Sequence, residues 1–421
     1  MELRAVVYGV ADEAVGWRWY VSIAMEADLS WWRRRGVEAL WVLDPGARVS
    51  AGEALERRAA LEAGRCGRES SGRPGAWVSA SGASWAPEPE AYARWMRRLE
   101  GRLLLREEIE RMDGAPEPWA AYAQWGALEG RVRLRHGAER EPGSARGGLL
   151  GRLRGLAVRL RGRIGGGASS SGARWTGYRC TRCGSGFPML RLADCALCGG
   201  PCPYCEGCLG MGRVRYCAVL VQGTAGGELR APTESSAPPD REVRARWGLS
   251  AAQAEAAGEA LRFLRQRLAS AGAGRGDGRF LLWAVTGAGK TEMMFPLVEA
   301  TLIAGGRALV ATPRKDVVLE LAPRFKAAFP RERVATLYGG SEERWDAGTI
   351  TIATTHQLFR FREAFELVVL DELDAFPYHG DPQLAFAAER ARRPGGAFVL
   401  LSATPPPALR REALRGRLPY A

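Results

Sequence analysis

The residues with the clearest chemistry form a glycine-rich turn between an apolar segment and a predicted helix. The pattern Ala284-x4-Gly289-Lys290-Thr291 follows the apolar strand Phe280–Val285, and a helix is predicted from Glu292. Strand, loop and helix in this order are the context of a phosphate-binding P-loop, although alanine stands where the first glycine is usual. Glycines let backbone N–H groups approach phosphates, the lysine reaches the β- and γ-phosphates, and the threonine hydroxyl ligates Mg²⁺. The predicted ATP- and Mg²⁺-binding residues of this turn are Thr286, Gly287, Ala288, Gly289, Lys290 and Thr291.

A pair of adjacent acids, Asp371 and Glu372, is the second chemical feature. It follows the apolar segment Leu367–Leu370. Two carboxylates at the end of a buried strand are costly to desolvate without a cation, so a surface acidic turn is the weaker alternative. We expect Asp371 to hold Mg²⁺ through water and Glu372 to orient or deprotonate an attacking water. With Lys290, these acids are the predicted catalytic residues.

The cysteines are concentrated in one segment. Eight of the nine fall between Cys180 and Cys217, and only Cys66 stands apart. In a reducing compartment such CxxC repeats indicate a metal site rather than disulfides, and zinc takes four thiolates in a tetrahedron. One compact arrangement uses Cys180, Cys183, Cys205 and Cys208. In an alternative arrangement, Cys195 and Cys198 replace Cys205 and Cys208 as the second CxxC pair. In another, two nested sites form, the second from Cys195, Cys198, Cys202 and Cys217. Four closed ligands leave no open position for water, so the predicted zinc is structural.

The charge balance favours polyanionic partners. Lysine and arginine number 60 against 47 acids, a net charge of +13. Nucleic acid is the first partner class this suggests, and an anionic membrane surface the second. Residues 131–163 alone carry ten arginines against two glutamates and form either a solvated basic arm or one that grips phosphates. No apolar run approaches the ~18 residues of a membrane span, and the N-terminus lacks a signal-peptide pattern, so we expect a cytoplasmic protein, at most peripheral at the membrane.

Further apolar segments must position these residues. The segments Arg307–Ala311, Ile350–Ala353 and Phe398–Leu401 each end in a polar motif. In an open parallel α/β sheet, ligands bind at the carboxyl ends of the strands. The sequence therefore predicts an α/β domain whose motifs converge at one edge of the sheet.

These motifs resemble those of superfamily 2 helicases. AVTGAGKT, TPRK, TTHQL, DELD and SAT are similar to motifs I, Ia, Ic, II and III. The resemblance implies a RecA-like P-loop sheet with flanking helices. It places Gln253 of LSAAQ against the adenine, and it implies coupling residues Ser402 and Thr404. It also implies that single-stranded DNA is held by Arg314, Lys315, Thr354 and Thr355.

Longer strings narrow the resemblance. YCEGCLGMGR, VTGAGKTEMMFP and DELDAFPY, in this order, resemble the ComFA family of late competence proteins. That family implies a zinc-bearing ATPase that drives single-stranded DNA uptake in natural transformation, with the uptake machinery at the inner face of the membrane as a partner. It favours the Cys180, Cys183, Cys205 and Cys208 set as ligands. The alternatives are a PriA-like replication-restart helicase, in which the cysteines follow the first lobe, and a DNA-binding adaptor that binds ATP without turnover.

The predicted organisation has four parts. Residues 1–164 form an α or α+β region of unknown role, 173–221 a zinc module, 222–242 a linker, and 243–421 the first RecA-like domain. In the first part, Glu88–Arg111 has a helical pattern, and ten of the fourteen tryptophans are expected to be core residues rather than base-stacking ones. Only seventeen residues follow Thr404, whereas the superfamily has a second lobe there that supplies an arginine finger. We therefore expect nucleotide binding with poor hydrolysis, either because the chain is truncated or because a second lobe acts in trans.

Overall fold

A computed structural model of the 421-residue chain describes residues 4–12, 16–44, 49–63, 75–140, 175, 177–224, 246–269, 278–285 and 287–421. Cys66, Thr286, the basic stretch 141–163 and most of the predicted linker 222–242 lie outside these residues. The chain divides into two compact units, Met1–Trp95 with Leu104–Gln222, and Met96–Leu103 with Gly223–Ala421. Among the described helices, none is both long enough and apolar enough to span a bilayer.

The first unit begins with a four-stranded antiparallel sheet in the order β2-β1-β3-β4. Its strands are β1 (Val6–Asp12), β2 (Gly16–Ser22), β3 (Ala39–Leu43) and β4 (Gly75–Ser79). The accompanying helices are α1 (Met25–Arg33), α2 (Ala51–Glu62), α3 (Pro89–Leu99), α4 (Arg106–Glu110) and α5 (Trp119–Leu128). Alternate apolar residues of β1 and β3, among them Tyr8 and Leu40, pack with Leu29 and Trp32 of α1. This region is therefore of the mixed α+β kind.

The helical pattern over Glu88–Arg111 is interrupted. Helix α3 ends at Leu99, Gly101 takes the left-handed conformation with φ of 69°, and Leu103–Leu105 forms strand β5 with all three side chains buried. The helical pattern therefore corresponds to α3 and α4 but not to the segment between them, because a buried apolar triplet can satisfy a strand as well as a helix. Of the ten tryptophans in this part, five are buried and Trp77 is 57% exposed.

The cysteine-rich part consists of short strands. They are β6 (Val132–His136), β7 (Ala138–Arg140), β8 (Tyr178–Cys180), β9 (Leu190–Cys195), β10 (Gly200–Cys205) and β11 (Val219–Gly223). Strands β7 and β8 pair, β9 and β10 form an antiparallel hairpin, and a third sheet has the order β5-β11-β6. A 3₁₀ helix, Glu206–Met211, follows the hairpin.

The second unit contains a six-stranded sheet in which every pairing is parallel. Its order is β12-β17-β16-β13-β15-β14. The strands are β12 (Arg279–Trp283), β13 (Ala308–Thr312), β14 (Val334–Leu337), β15 (Ile350–Thr354), β16 (Phe365–Leu370) and β17 (Arg392–Ser402). The helices are α6 (Ala251–Ala269), α7 (Lys290–Ile303), α8 (Lys315–Ala328), α9 (Pro382–Ala391) and α10 (Pro407–Leu414).

This sheet has the predicted α/β architecture. Strands β13, β15 and β16 are buried throughout, as expected for parallel strands covered on both faces. The helices bring Leu264, Leu297 and Phe325 into a core shared with Phe280 and Val310 of the sheet. The five predicted strands are all present, and β14 is an additional strand that the sequence analysis did not identify.

Candidate nucleotide site and cysteine clusters

The glycine-rich turn has the backbone of a phosphate cradle. Gly287 and Gly289 both take left-handed conformations, with φ of 79° and 72°, which favour glycine. Helix α7 begins at Lys290 with Gly289 as its N-cap, so the first N–H groups of a fourteen-residue helix face the loop. Such a helix terminus attracts anions, which fits the phosphates of a nucleotide.

Gln253 contacts this turn directly. It lies in the first turn of α6, and its side-chain Nε2 donates to the carbonyl oxygen of Ala288 over 2.7 Å. Its Oε1 accepts from the backbone N–H of Ser250 at 2.8 Å. A Cβ atom on Gly289 would overlap the Gln253 amide, so glycine is needed there for this close approach as well. Gln253 thus braces the P-loop, while its contact with adenine stays a prediction.

Lys290 and the acids after β16 lie within electrostatic reach of one another. Burial raises the pKa of Asp371, which is 8% exposed, and the positive charge of Lys290 opposes that rise. The Asp371 carboxylate also accepts from the backbone N–H of Glu372 at 2.9 Å. The same lysine charge contributes to lowering the pKa of Asp374. The phosphate cradle and the acidic motif, by which we mean Asp371, Glu372 and Asp374, therefore lie at the same edge of the sheet.

Glu372 has a strained backbone and an unsatisfied carboxylate oxygen. Its φ is 52°, a left-handed value that costs a non-glycine residue about 1–3 kcal/mol. Its Oε2 is buried without a hydrogen-bond partner among the described residues, and the guanidinium of Arg314 lies 3.9 Å away. A buried acceptor without a donor fits a site that receives a water molecule or a hydrated cation.

The end of β17 is bonded to the acidic motif. The hydroxyl of Ser402 donates to Asp374 at 2.7 Å, and the hydroxyl of Thr404 donates to the other oxygen of the same carboxylate. Burial opposes the ionisation of Asp374, but these two hydrogen bonds outweigh it and lower its pKa. Predicted coupling residues and the acidic motif are thus in direct contact.

The predicted DNA-binding residues divide into two groups. Arg314 and Lys315, at the start of α8, are exposed; Arg314 forms an ion pair with Asp316, and the ammonium of Lys315 lies 4.6 Å from the ring centre of Tyr338. Thr354 and Thr355 are instead buried, with 8% and 0% exposure. Only the first pair presents side chains to solvent, and the DNA-binding role of all four stays a prediction.

Sequence reasoning did not identify Arg324. From α8, its guanidinium donates to the hydroxyl of Thr291 at 3.0 Å and forms an ion pair with Glu292. Both partners lie in the first turn of α7. No motif marks this arginine, because only the packing of α8 beside α7 brings it to the P-loop.

The eight cysteines of the cysteine-rich part gather into two sets of four. In each set the sulfur atoms lie within 4.8 Å of one another. We call Cys180, Cys183, Cys205 and Cys208 the knuckle cluster, and Cys195, Cys198, Cys202 and Cys217 the hairpin cluster. Of the three arrangements left open by the sequence, the compact one contains the knuckle cluster alone. The nested arrangement contains both clusters, and the third, with Cys195 and Cys198 beside Cys180 and Cys183, contains neither.

The knuckle cluster offers a donor set that suits zinc. All four thiols are at most 1% exposed, and the Sγ atoms of Cys180 and Cys208 lie 3.7 Å apart, those of Cys183 and Cys205 3.4 Å. Hydrogen bonds within the set lower the pKa of Cys183 and of Cys205 and raise the pKa of Cys180 and of Cys208, so the four thiols interact as one group. Four thiolates in a closed buried set are the ligands of a structural zinc site.

Two segments of the chain match known protein families. Residues 265–411 match the DEAD/DEAH box helicase family, and residues 168–222 match the competence protein ComFA N-terminal domain family. The α/β unit is therefore a helicase domain of the DEAD/DEAH box type with a RecA-like sheet, a class that uses ATP and Mg²⁺.

The relatives matched at 39% and 44% identity are competence proteins. The chain is 39% identical over 243 residues to competence protein ComFA of Bacillus subtilis, covering 57% of this chain and 48% of that protein. It is 44% identical over 124 residues to ComFA of Streptococcus pneumoniae, covering 30% of this chain and 28% of that protein. The chain is a relative of the competence protein ComFA with a DEAD/DEAH-box helicase domain, and it spans about half the length of the Bacillus relative.

More distant likenesses are also helicases or replication proteins. Replication restart protein PriA of Bacillus subtilis is 28% identical over 141 residues, which covers 30% of this chain and 17% of PriA. Among solved structures, a hypothetical ATP-dependent RNA helicase from Sulfolobus tokodaii covers 43% of this chain and 55% of its own, with 21% identity and a TM-score of 0.32. The UvsW helicase from bacteriophage T4 covers 41% of this chain and 58% of its own, with 15% identity and a TM-score of 0.30.

Proposed function

We propose that the chain is an ATP-dependent, single-stranded DNA translocase of the helicase type that acts in DNA uptake during natural transformation. One observation carries the proposal: the glycine-rich turn and Lys290 follow β12 and the acids follow β16, and these parallel strands flank β17, so both lie at the carboxyl-end edge of one sheet. A phosphate cradle and an acidic motif that share an edge are the two halves of a nucleoside triphosphatase site. The likeness to ComFA supports the role in DNA uptake.

The residues have separate tasks in this proposal. Lys290 and the N–H groups at the start of α7 bind the β- and γ-phosphates, and Thr291 and Asp371 hold the metal. Bound Mg²⁺ neutralises the charge that develops on the phosphates. Glu372, whose Oε2 has no donor among the described residues, orients the attacking water. Ser402 and Thr404 transmit the state of the acidic motif to β17 through Asp374.

The remaining parts of the proposal concern DNA and zinc. Gln253 contacts the adenine, and Arg314, Lys315, Thr354 and Thr355 contact the DNA backbone. A zinc ion in the knuckle cluster stabilises the cysteine-rich part beside the DNA. The partners are single-stranded DNA and the uptake machinery at the inner face of the membrane, reached from the cytoplasm, and a second RecA-like lobe completes the ATP site.

The test compares three variants. Lys290→Ala removes the phosphate ligand and should abolish ATP binding in isothermal titration, with zinc content unchanged by elemental analysis. Glu372→Gln should bind ATP normally and lose hydrolysis, because the amide cannot take a proton from water. Lys326→Ala is the control, since this lysine lies on α8 in an ion pair with Glu343 at 3.2 Å; both properties should stay at the wild-type level.

Two results would overturn the proposal. Equal ATP affinity in Lys290→Ala would refute the P-loop assignment. In the presence of a second lobe, ATP hydrolysis should rise strongly when single-stranded DNA is added. A protein that binds ATP and DNA without any DNA-dependent turnover under these conditions would be an adaptor instead.

A further inference from the structure

We propose that the hairpin cluster binds a second zinc ion, independent of the one in the knuckle cluster and of the ATP site. In this cluster the Sγ atom of Cys217 lies 3.7 Å from that of Cys195 and 3.7 Å from that of Cys202. A tetrahedral site with Zn–S bonds of about 2.3 Å requires sulfur atoms about 3.8 Å apart. The thiols thus already have the spacing of a zinc site.

The hairpin itself places three of the four ligands. Cys195 ends β9 opposite Gly200 of β10, and Cys202 lies two residues beyond Gly200. Because side chains alternate along a strand, Cys202 points to the same face as Gly200 and hence as Cys195. Cys198 lies in the turn between the strands, so the CxxC spacing with Cys195 brings a third thiol to that face.

The fourth ligand comes from a different segment. Cys217 follows the bridge between Tyr204 and Arg215, and the backbone N–H of Tyr216 donates to the carbonyl oxygen of Pro203 at 2.8 Å. These bonds hold Cys217 against the hairpin just before the chain enters β11. A metal here joins the tip of the hairpin to that segment, a cross-link that supplements the backbone bonds.

Disulfide formation explains this cluster less well than a metal does. Cys217 is equally close to Cys195 and Cys202, whereas a disulfide can join it to only one of them. A single ion satisfies all four sulfur atoms at once. The arrangement matches that of the knuckle cluster in number of ligands and spacing.

The two clusters differ in exposure. The four knuckle thiols are all buried, whereas Cys198 of the hairpin cluster is exposed and Cys195 is half-buried. A chelator reaches a metal through exposed ligands first. We therefore expect the hairpin zinc to be the faster to leave.

The experiment counts zinc in the whole purified chain. Native mass spectrometry should find two zinc ions in the wild type and one in both Cys202→Ser and the matched knuckle variant Cys205→Ser. Cys198→Ser, at an exposed position, provides a second hairpin variant that leaves the buried thiols in place, and Cys198→His should restore the second ion because imidazole also ligates zinc. With a chromogenic chelator, wild-type release should have a fast and a slow phase, and Cys198→Ser should lack the fast one.

Three results would overturn the inference. They are a single zinc in the wild type, two zinc ions in both hairpin variants, or one zinc together with a mass lower by two hydrogens in the hairpin peptide, which marks a disulfide. ATP binding is measured on the same samples and should be unchanged in Cys198→Ser. Failure of the second zinc site is thereby distinguished from failure of the proposed motor function.

Discussion

At the scale of single residues, Asp28 is a buried acid held by neutral donors. Its carboxylate accepts from the hydroxyl of Tyr8 at 2.6 Å, from Ser22 at 2.5 Å and from the amide of Gln124 at 2.9 Å. All four residues are at most 1% exposed. Burial raises the pKa of Asp28 to about 7, because these hydrogen bonds only partly offset the loss of water. The network joins β1, β2, α1 and α5 of the first unit.

This carboxyl should make stability depend on pH. Its pKa is higher in the folded state than in the unfolded one, so its stabilising contribution is full below pH 4 and is lost as the pH rises to about 7. Over this range the free energy of unfolding should fall by up to about 1.4 kcal/mol per pH unit. Asp28→Asn removes the titration. We expect the melting temperature of the wild type to fall relative to that of Asp28→Asn between pH 4 and pH 7. Tryptophan fluorescence measures both melting temperatures.

The control is Glu90→Gln on α3, where the side chain is 84% exposed. It should keep the wild-type pH dependence. A wild-type profile in Asp28→Asn would contradict the assignment of this titration to Asp28.

At the scale of elements, α8 supports the start of α7. The contact between Arg324 and Thr291 fixes the hydroxyl that the proposed function assigns to Mg²⁺, and the ion pair with Glu292 fixes the same turn. A hydroxyl oxygen has two lone pairs, so it can accept from Arg324 and still ligate a metal. Arg324 is thus a positioning residue for the metal ligand.

Removing this support should weaken metal-dependent binding. We expect Arg324→Ala to raise the dissociation constant of Mg·ATP several-fold to about tenfold, since a hydrogen bond from a charged group contributes about 1.5–3 kcal/mol and this one is half-exposed. The affinity for ATP without Mg²⁺ should change less, which a purely structural defect would not produce. Arg324→Lys should recover part of the loss.

Arg331→Ala, at an exposed position beyond the end of α8, is the matched control. Titration calorimetry with and without Mg²⁺ measures all four proteins. Equal losses with and without the metal in Arg324→Ala would argue against the positioning role.

At the scale of the whole molecule, the charge of +13 should determine how DNA binds. Basic side chains that neutralise phosphates release counterions, so the logarithm of the affinity for single-stranded DNA should fall linearly with the logarithm of the salt concentration. Replacing Arg314 or Lys315 by alanine should reduce the slope by about 0.7 for each phosphate that is no longer neutralised. Fluorescence anisotropy over a range of salt concentrations provides the measurement.

Lys326→Ala serves as the comparison, because Lys326 is engaged by Glu343. Its slope should equal that of the wild type. A salt profile that is flat in the wild type would mean that the basic excess serves another purpose.

Local sequence patterns predicted the secondary structure well where residues that are close in sequence also lie close in space. The strand, loop and helix around Lys290, the strand before Asp371 and the CxxC turns each depend on a few consecutive residues, so composition and spacing suffice to find them. The match to the DEAD/DEAH box family and the parallel sheet confirm the predicted fold class. The strand β14 was missed because its four residues have too short a pattern to stand out, and the break at Gly101 was missed because a buried triplet fits helix and strand alike.

The sequence by itself determined the class of domain and the chemistry available to it, because motif residues are set by chemistry at fixed spacing. Tertiary structure alone decided which side chains meet. It divided the eight clustered thiols into two sets, placed Arg324 on Thr291, bonded Ser402 to Asp374, and buried Thr355. Each of these depends on the register of strands or the packing of helices that are far apart along the chain, and the free energy that fixes them comes from burial of the shared core rather than from any local preference.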